Sequence, residues 1–412
     1  MRRSAILSLA GRPVAWAPAI LLADRFHCAV CAAFFLAVTL EARAAQQAPY
    51  TFINIADDSG SLTSIEATFS MNSSGVVAFR ATGPNGRTIY AGKGGPLTAI
   101  VASTGSFSRL EGVPAINDHG TIAFIGYLGD INATRGIYTV KDGTVSPIVQ
   151  GGLYELGLYP GLSINANGKV AFVALISSVL GVYASDGGPI TTIALGGQQF
   201  VYPPPFASIN NCGTVAFNDE SPIGDRVRAG DGGTLAVVEH AGGRFSSFRS
   251  PSINDHGDVA FIAELDTGAS GVFVRSEGNT HTIADTNGRF GDFADYSHHA
   301  PSVAINNSGS VAFIASLDFS ASLGIYTGPN PIAHKVIRSG DLLFGSVLLQ
   351  LDSYPAINSR GDIAFKYQLA NGISGIAVAR VVPEPGSAAI VIATLAMFVI
   401  RAPGARRPGS LG

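Results

Sequence analysis

Asp292, Asp295, His298 and His299 crowd into one short stretch, GDFADYSHHAP, the most polar local cluster in the chain. Carboxylates and imidazoles bind zinc and other divalent ions, and an Asp beside a His supports general acid/base work. Asp292, Asp295 and His298 are therefore the candidate metal ligands. His298 and His299 are adjacent, so on a strand they would point to opposite sides and could not chelate one ion together. A solvated loop is the plainer reading. Asp219, Glu220, Asp225 and Asp231 form a second acidic group. Paired carboxylates suit a glycosidase and oxygen-rich loops suit calcium, but neither an EF-hand spacing nor an acid/base motif is present. The pairs Asp118-His119 and Asp255-His256 could pass for ligand loops; a turn explains them better, because they recur in only two copies of a unit found seven times. There is no phosphate-binding Gly loop before a helix, no nucleophile elbow and no His-Glu-x-x-His. No catalytic residue and no cofactor follows from the sequence, so the question passes to the scaffold.

That scaffold is glycine-rich and poorly charged. Of 412 residues, 47% are hydrophobic, 13% are charged and 50 are glycine. About 25% charged is usual for a soluble domain, so a disordered, highly solvated chain is excluded. Glycines scattered between short apolar runs require frequent reversals, which argues against long helices. Of the 26 basic residues, five lie in 1–44 and three in 382–412; of the 29 acidic ones, Asp24, Glu41 and Glu384 lie in these end segments. Residues 45–381 thus carry 18 basic and 26 acidic side chains, a net charge of −8. Such a surface repels phosphate backbones, and nucleic acid is not expected as a partner.

One unit recurs as SMNSSGVVAF, AINDHGTIAF, SINANGKVAF, SINNCGTVAF, SINDHGDVAF, AINNSGSVAF and AINSRGDIAF. Each holds Asn, Gly three residues later, then Ala-Phe. The pairs are Asn72 and Gly75, Asn117 and Gly120, Asn165 and Gly168, Asn210 and Gly213, Asn254 and Gly257, Asn306 and Gly309, and Asn358 and Gly361. Asn at the first corner of a turn accepts hydrogen bonds from backbone N–H groups ahead, and Gly at the fourth takes a left-handed conformation. Asn-x-x-Gly is therefore a tight reversal between two strands. Beyond it the branched residue and the Phe share one face while Ala occupies the other, where it lets a neighbouring sheet approach closely. A second strand follows, often Gly-Ile-Tyr as at 136–138 and 324–326, and then a Gly turn and a third strand. The copy near Val227 fits poorly.

Four antiparallel strands in a repeat of ~40 to 50 residues mark a β-propeller blade. The expected fold is all-β: a seven-bladed β-propeller of four-stranded antiparallel blades over 45–381. The last copy lacks a convincing final strand, while Tyr50–Asp57 resembles the corresponding strand Thr280–Asp285 of another copy. The N-terminal strand is thus expected to complete the last blade and close the ring.

The two ends read as addresses. Arg25, the apolar run Cys28–Leu40 and Ala42-Arg43-Ala44 form a signal-peptide pattern over 1–44, with cleavage near Ala44 or Ala45. Cleavage would leave Cys212 as the only thiol, and core burial rather than a disulfide would hold the body together. Val382, Pro383, Glu384 and Pro385 open the tail 382–412, followed by an apolar segment 387–400, helical in lipid, and by Arg401, Arg406 and Arg407.

This order of VPEP motif, apolar segment and basic end resembles the PEP-CTERM sorting signal of Gram-negative bacteria. The resemblance implies recognition by an exosortase-type sorting protease, membrane contact through the C-terminal segment before processing, and a body attached to the envelope surface or released outside. The repeats resemble the NxxGxxAF tandem-repeat proteins, which implies an extracytoplasmic protein and supplies no catalytic residues. The expected role is a binding or extracellular-matrix scaffold with a polysaccharide or protein ligand, contacted through the long loops 150–161, 198–206 and 286–301. The alternative is a polysaccharide-acting hydrolase or lyase on the same scaffold.

Overall fold

In a computed structural model of the chain, every regular element among the described residues is a β-strand. The description covers 50–129, 134–150, 154–156, 161–176, 178–196, 206–219, 224–249, 251–293, 303–317, 322–351 and 354–382. The signal-like segment 1–44, the apolar segment 387–400 expected as a helix, and most of the long loops lie outside these residues.

The strands form seven antiparallel sheets, six of them running in chain order from an inner to an outer strand. Six blades are continuous in sequence, over 64–102, 107–150, 154–195, 208–240, 245–285 and 292–338. The seventh takes its first three positions from 342–381, and its outer strand is Tyr50–Asp57, paired antiparallel with Ser374–Val381 from Tyr50↔Val381 to Asp57↔Gly375. The chain is a seven-bladed β-propeller closed by its N-terminal strand. In several blades the inner position is split in two, as where 154–156 and 163–164 both pair with 170–176.

The Val/Ile-Ala-Phe triplet explains how blades stack. Ala78 packs with Ile122 and Phe124 of the next blade, Ala216 with Val259 and Phe261, and Ala312 with Ile363 and Phe365. The small residue of one blade therefore receives the branched and aromatic pair of its successor, all almost fully buried. Ala364 of the seventh blade meets Val77 and Phe79 of the first in the same way, so the closing junction has a full apolar interface. Within a blade, the Phe pairs across strands with the Tyr or Phe of the following strand. Phe124–Tyr138, Phe172–Tyr183 and Phe261–Phe273 stack with ring centroids 5.8, 6.0 and 5.8 Å apart.

The glycine two residues before that second ring is required by close approach. A Cβ on Gly271 would stand 2.7 Å from the Ala284 carbonyl and 3.0 Å from the Phe273 ring. The carbonyl is pushed inward by a β-bulge that recurs in all seven outer strands. It leaves Ile100, Ile148, Ile193, Val238, Ile283, Val336 and Ile55 without a partner across the ladder. An extra residue at one point sharpens local twist, as the splayed blades of a propeller need. That Tyr50–Asp57 carries the bulge at the same place identifies it as a true outer strand.

Candidate functional site

The seven Asn-x-x-Gly reversals meet at one end of the ring. In each, the Gly N–H donates to the Asn carbonyl at about 3 Å, and the Asn Oδ1 accepts from the backbone N–H four residues on, at 2.9–3.0 Å. The glycines have φ between +76° and +86°, where a side chain is strained. This is the turn expected from the sequence. Its other half was not anticipated: each Asn Nδ2 reaches the next blade. Asn72 donates to the Asn117 carbonyl, Asn117 to Asn165, Asn165 to Asn210, Asn210 to Asn254, Asn254 to Asn306 and Asn306 to Asn358, at 2.9–3.2 Å. The side chains are 3–5% exposed. One amide thus shapes its own turn and ties it to the neighbouring one, which is why Asn serves here where Asp, without a donor, would not.

Residues flanking the Asn add further ties. Asp118 accepts from Ser73 N at 2.7 Å and Ser73 Oγ at 2.8 Å, while Asp255 accepts from Asn211 N and from the Asn211 and Asn307 amides at 2.6–2.9 Å. His119 Nδ1 lies 2.9 Å from the Ala166 carbonyl. Asp118, His119 and Asp255 are thus part of the ties between blades, while His256 N donates to Asn254 Oδ1 of its own turn at 3.1 Å. Ser163 and Ser208, two residues before their Asn, accept from Ile209 N and Ile253 N of the next blade at 3.0 and 3.2 Å. The turns enclose an axial cavity of about 160 Å³, lined by Met71, Ile116, Ile164, Ile305, Ile357 and the polar turn residues beside them. Pockets that engulf a drug-sized ligand run from about 300 Å³ upward, so this mouth accepts no more than the tip of one.

The second acidic group is not an open set of carboxylates. Asp219 is fully buried and held by Arg226 through Nε–Oδ1 at 2.9 Å and Nη2–Oδ2 at 3.0 Å, and by Arg228 Nη1 at 2.9 Å. Arg228 occupies the position opposite Phe217 that an aromatic ring fills in most other blades. The poor fourth repeat is therefore a complete blade in which an Arg–Asp–Arg cluster replaces a ring stack. A carboxylate with both oxygens so engaged is a structural partner, and the calcium or glycosidase reading of this group loses its central member. Asp231 accepts from Gly233 N at 3.0 Å in an exposed turn, and Glu220 lies outside the described residues.

Of the metal candidates, Asp292 is exposed on a two-residue strand and accepts from Phe293 N at 2.8 Å. Asp295, His298 and His299 lie outside the described residues. Among the described residues no three His, Cys, Asp or Glu side chains gather to hold a metal ion. Val382 is half-buried beyond the last strand, while Pro383, Glu384 and Pro385 lie outside the described residues. No described helix is long and apolar enough to cross a membrane.

A family model matches residues 42–236 and, overlapping it, 209–347, together about three quarters of the chain. The chain belongs to DUF7453, a family of unknown function. No curated protein matches this DUF7453 chain by sequence. Solved structures similar to it include an oligogalacturonate lyase in complex with manganese, at 12% identity and TM-score 0.51, covering 82% of this chain and 98% of the lyase. A puromycin-hydrolyzing peptidase of Mycobacterium tuberculosis aligns at 16% identity and TM-score 0.49, over 74% of this chain and 49% of the peptidase, so the DUF7453 chain spans about half that enzyme. Identities this low speak to the fold alone.

Proposed function

We propose that this protein is an exported propeller that serves a Gram-negative cell envelope as a binding or extracellular-matrix scaffold. Residues 1–44 would direct export. The tail 382–412 would be read by an exosortase-type protease, with membrane contact through 387–400 until processing, and the body would stay at the outer surface or be released. The observation that carries the binding reading is the employment of the polar groups at the ring mouth. The Asn amides, Ser hydroxyls and Asp118 and Asp255 carboxylates there are engaged in tying blade to blade. What remains to a ligand is a rigid, closed ring presenting loops, and loops on a rigid scaffold are where recognition usually resides.

The competing reading, a polysaccharide hydrolase or lyase, needs carboxylates from different blades converging on one cavity. Among the described residues Asp118 is the single carboxylate lining the axial cavity, and Ser73 engages both its oxygens. The test is to incubate the purified full chain with acidic and neutral polysaccharides, reading binding by calorimetry and polymer length by size exclusion. Binding with unchanged polymer length is expected; shortened polymer would establish the enzyme instead. Cell fractionation checks the export half, which a cytosolic chain would overturn.

A further inference from the structure

The junction between the seventh and first blades differs from the other six at the axial end. Asn358 Nδ2 turns to Asp362 Oδ2 of its own turn, at 3.0 Å, and among the described residues no amide bridge runs from it to Asn72. Beside this gap opens a pocket of about 1000 Å³, at the upper end of the volumes that hold a small organic ligand. Among the described residues three cations line it: Lys93, Arg360 and Arg380. The opposing charge is Asp362, which is 2% exposed and already committed to Val381 N, Asn358 Nδ2 and Arg360 Nε at 3.2, 3.0 and 3.2 Å. Lys93 and Arg380 form no ion pair among the described residues. The outer ends of both guanidiniums lie beside the first blade's turn: Arg360 Nη2 and Arg380 Nη2 are 3.2 and 4.0 Å from where a Cβ on Gly75 would stand. Gly94 and Gly95 also line the pocket, and a Cβ on Gly95 would meet nothing within 4 Å.

We propose that this seam pocket is a carboxylate-binding site, with Arg360 and Arg380 grasping the acid group of a sugar acid whose ring fills the remaining space. Two guanidiniums whose outer ends lie close together suit a planar oxyanion; Arg360 is paired with Asp362 through Nε, which leaves Arg380 and Lys93 as positive charge without an ion pair among the described residues, on a body of net charge −8. The site gives the binding reading a ligand class, and rests on that reading only in placing the ligand outside the cell. The same chemistry has a second source in the chain itself. Glu384 follows Val381 by three residues, within about 10 Å of extended chain, and its carboxylate would compete at high effective concentration.

The test titrates the purified full chain and its Glu384→Gln variant with sodium glucuronate at low ionic strength, with glucose as the neutral control and a glucuronate polymer as a third ligand. Saturable heat with glucuronate, none with glucose, and affinity falling with salt are expected. Arg360→Gln with Arg380→Gln should weaken binding at least tenfold, with an unchanged melting profile confirming the fold. Lys93→Gln, on an exposed turn, should weaken it about threefold. Binding by the Glu384 variant alone means that the chain's own acid fills the site, and supports the assignment. Silence from both proteins, or undiminished binding in the arginine variants, overturns it. Glucuronate bound without any polymer keeps the site and removes the scaffold reading.

Discussion

The six junctions between consecutive blades and the one junction that closes the ring bury the same apolar pattern by different polar means. At the six, an Asn amide crosses to the next turn at the axis. At the seventh the ties lie farther out. The N-terminal strand zips onto the last blade, Phe52 meets Phe365 edge to face, and Tyr367 Oη donates to Asn54 Oδ1 at 3.1 Å. Tyr354 stacks on Phe69 of the first blade and donates to its carbonyl at 3.1 Å. Where successive blades are covalently joined, short axial bonds suffice. Where the two ends of the chain must find each other, a whole strand's ladder and two buried tyrosines take over, and the axial gap left behind becomes the basic pocket.

The largest effect should come from deleting residues 50–57. The last blade then exposes Ile376 and Val378 along an unpaired edge, and the cooperative melting transition measured by circular dichroism should be lost or fall by more than about 10 °C. A deletion that melts like the parent would mean that the seam needs no strand exchange.

A smaller contrast separates Asn306→Ala from Asn358→Ala. The first removes a buried inter-blade bond and orphans turn N–H groups, and should cost about 2–4 kcal/mol in denaturant unfolding. The second removes bonds within its own turn only, and should cost about 1–2 kcal/mol while leaving inter-blade proteolysis unchanged. Equal costs would erase the distinction between the junctions.

The smallest effect concerns pH. Burial raises the Tyr354 phenol, against hydrogen bonding to Phe69, and raises the Tyr367 phenol, with Asp57 and Asp58 adding to the rise. In the sixth blade burial pushes Tyr326 up to about 12. A phenol raised in the folded state contributes stability that is full below its unfolded value near 10 and is lost as pH rises through the folded value. Unfolding monitored between pH 9 and 12 should show stability falling above pH 10. Tyr367→Phe should cost about 1 kcal/mol at neutral pH through the Asn54 bond and make the alkaline loss shallower. An unchanged alkaline slope in that variant would separate Tyr367 from the pH response of the seam.

Much of this was legible in the residues. Asn-x-x-Gly dictates its turn locally, because the side-chain acceptor and the left-handed glycine act within five residues. Alternation around Ala likewise announces which face must admit a neighbour. The likeness of Tyr50–Asp57 to an outer strand was visible too, though not the bulge at Ile55 that completes it. Other features were hidden, some because they join residues from different repeats and one because its charges read as a loop. The Asn Nδ2 bonds span 44 to 52 positions, and the Arg226–Asp219–Arg228 cluster looked like an acidic loop beside a failed repeat. A signal existed for the latter: Arg stands two residues after Arg where other copies show an aromatic, opposite an Asp two residues past the Phe.

The sequence by itself determined the unit, its number and its turn, since each depends on hydrogen bonds and side-chain alternation between near neighbours. Only the tertiary structure decided what happens at the seam. Curling seven similar units into a circle brings Arg360 and Arg380 to Gly75 and Lys93 across nearly the full length of the body, and no local rule of spacing records which charges meet when two distant ends close.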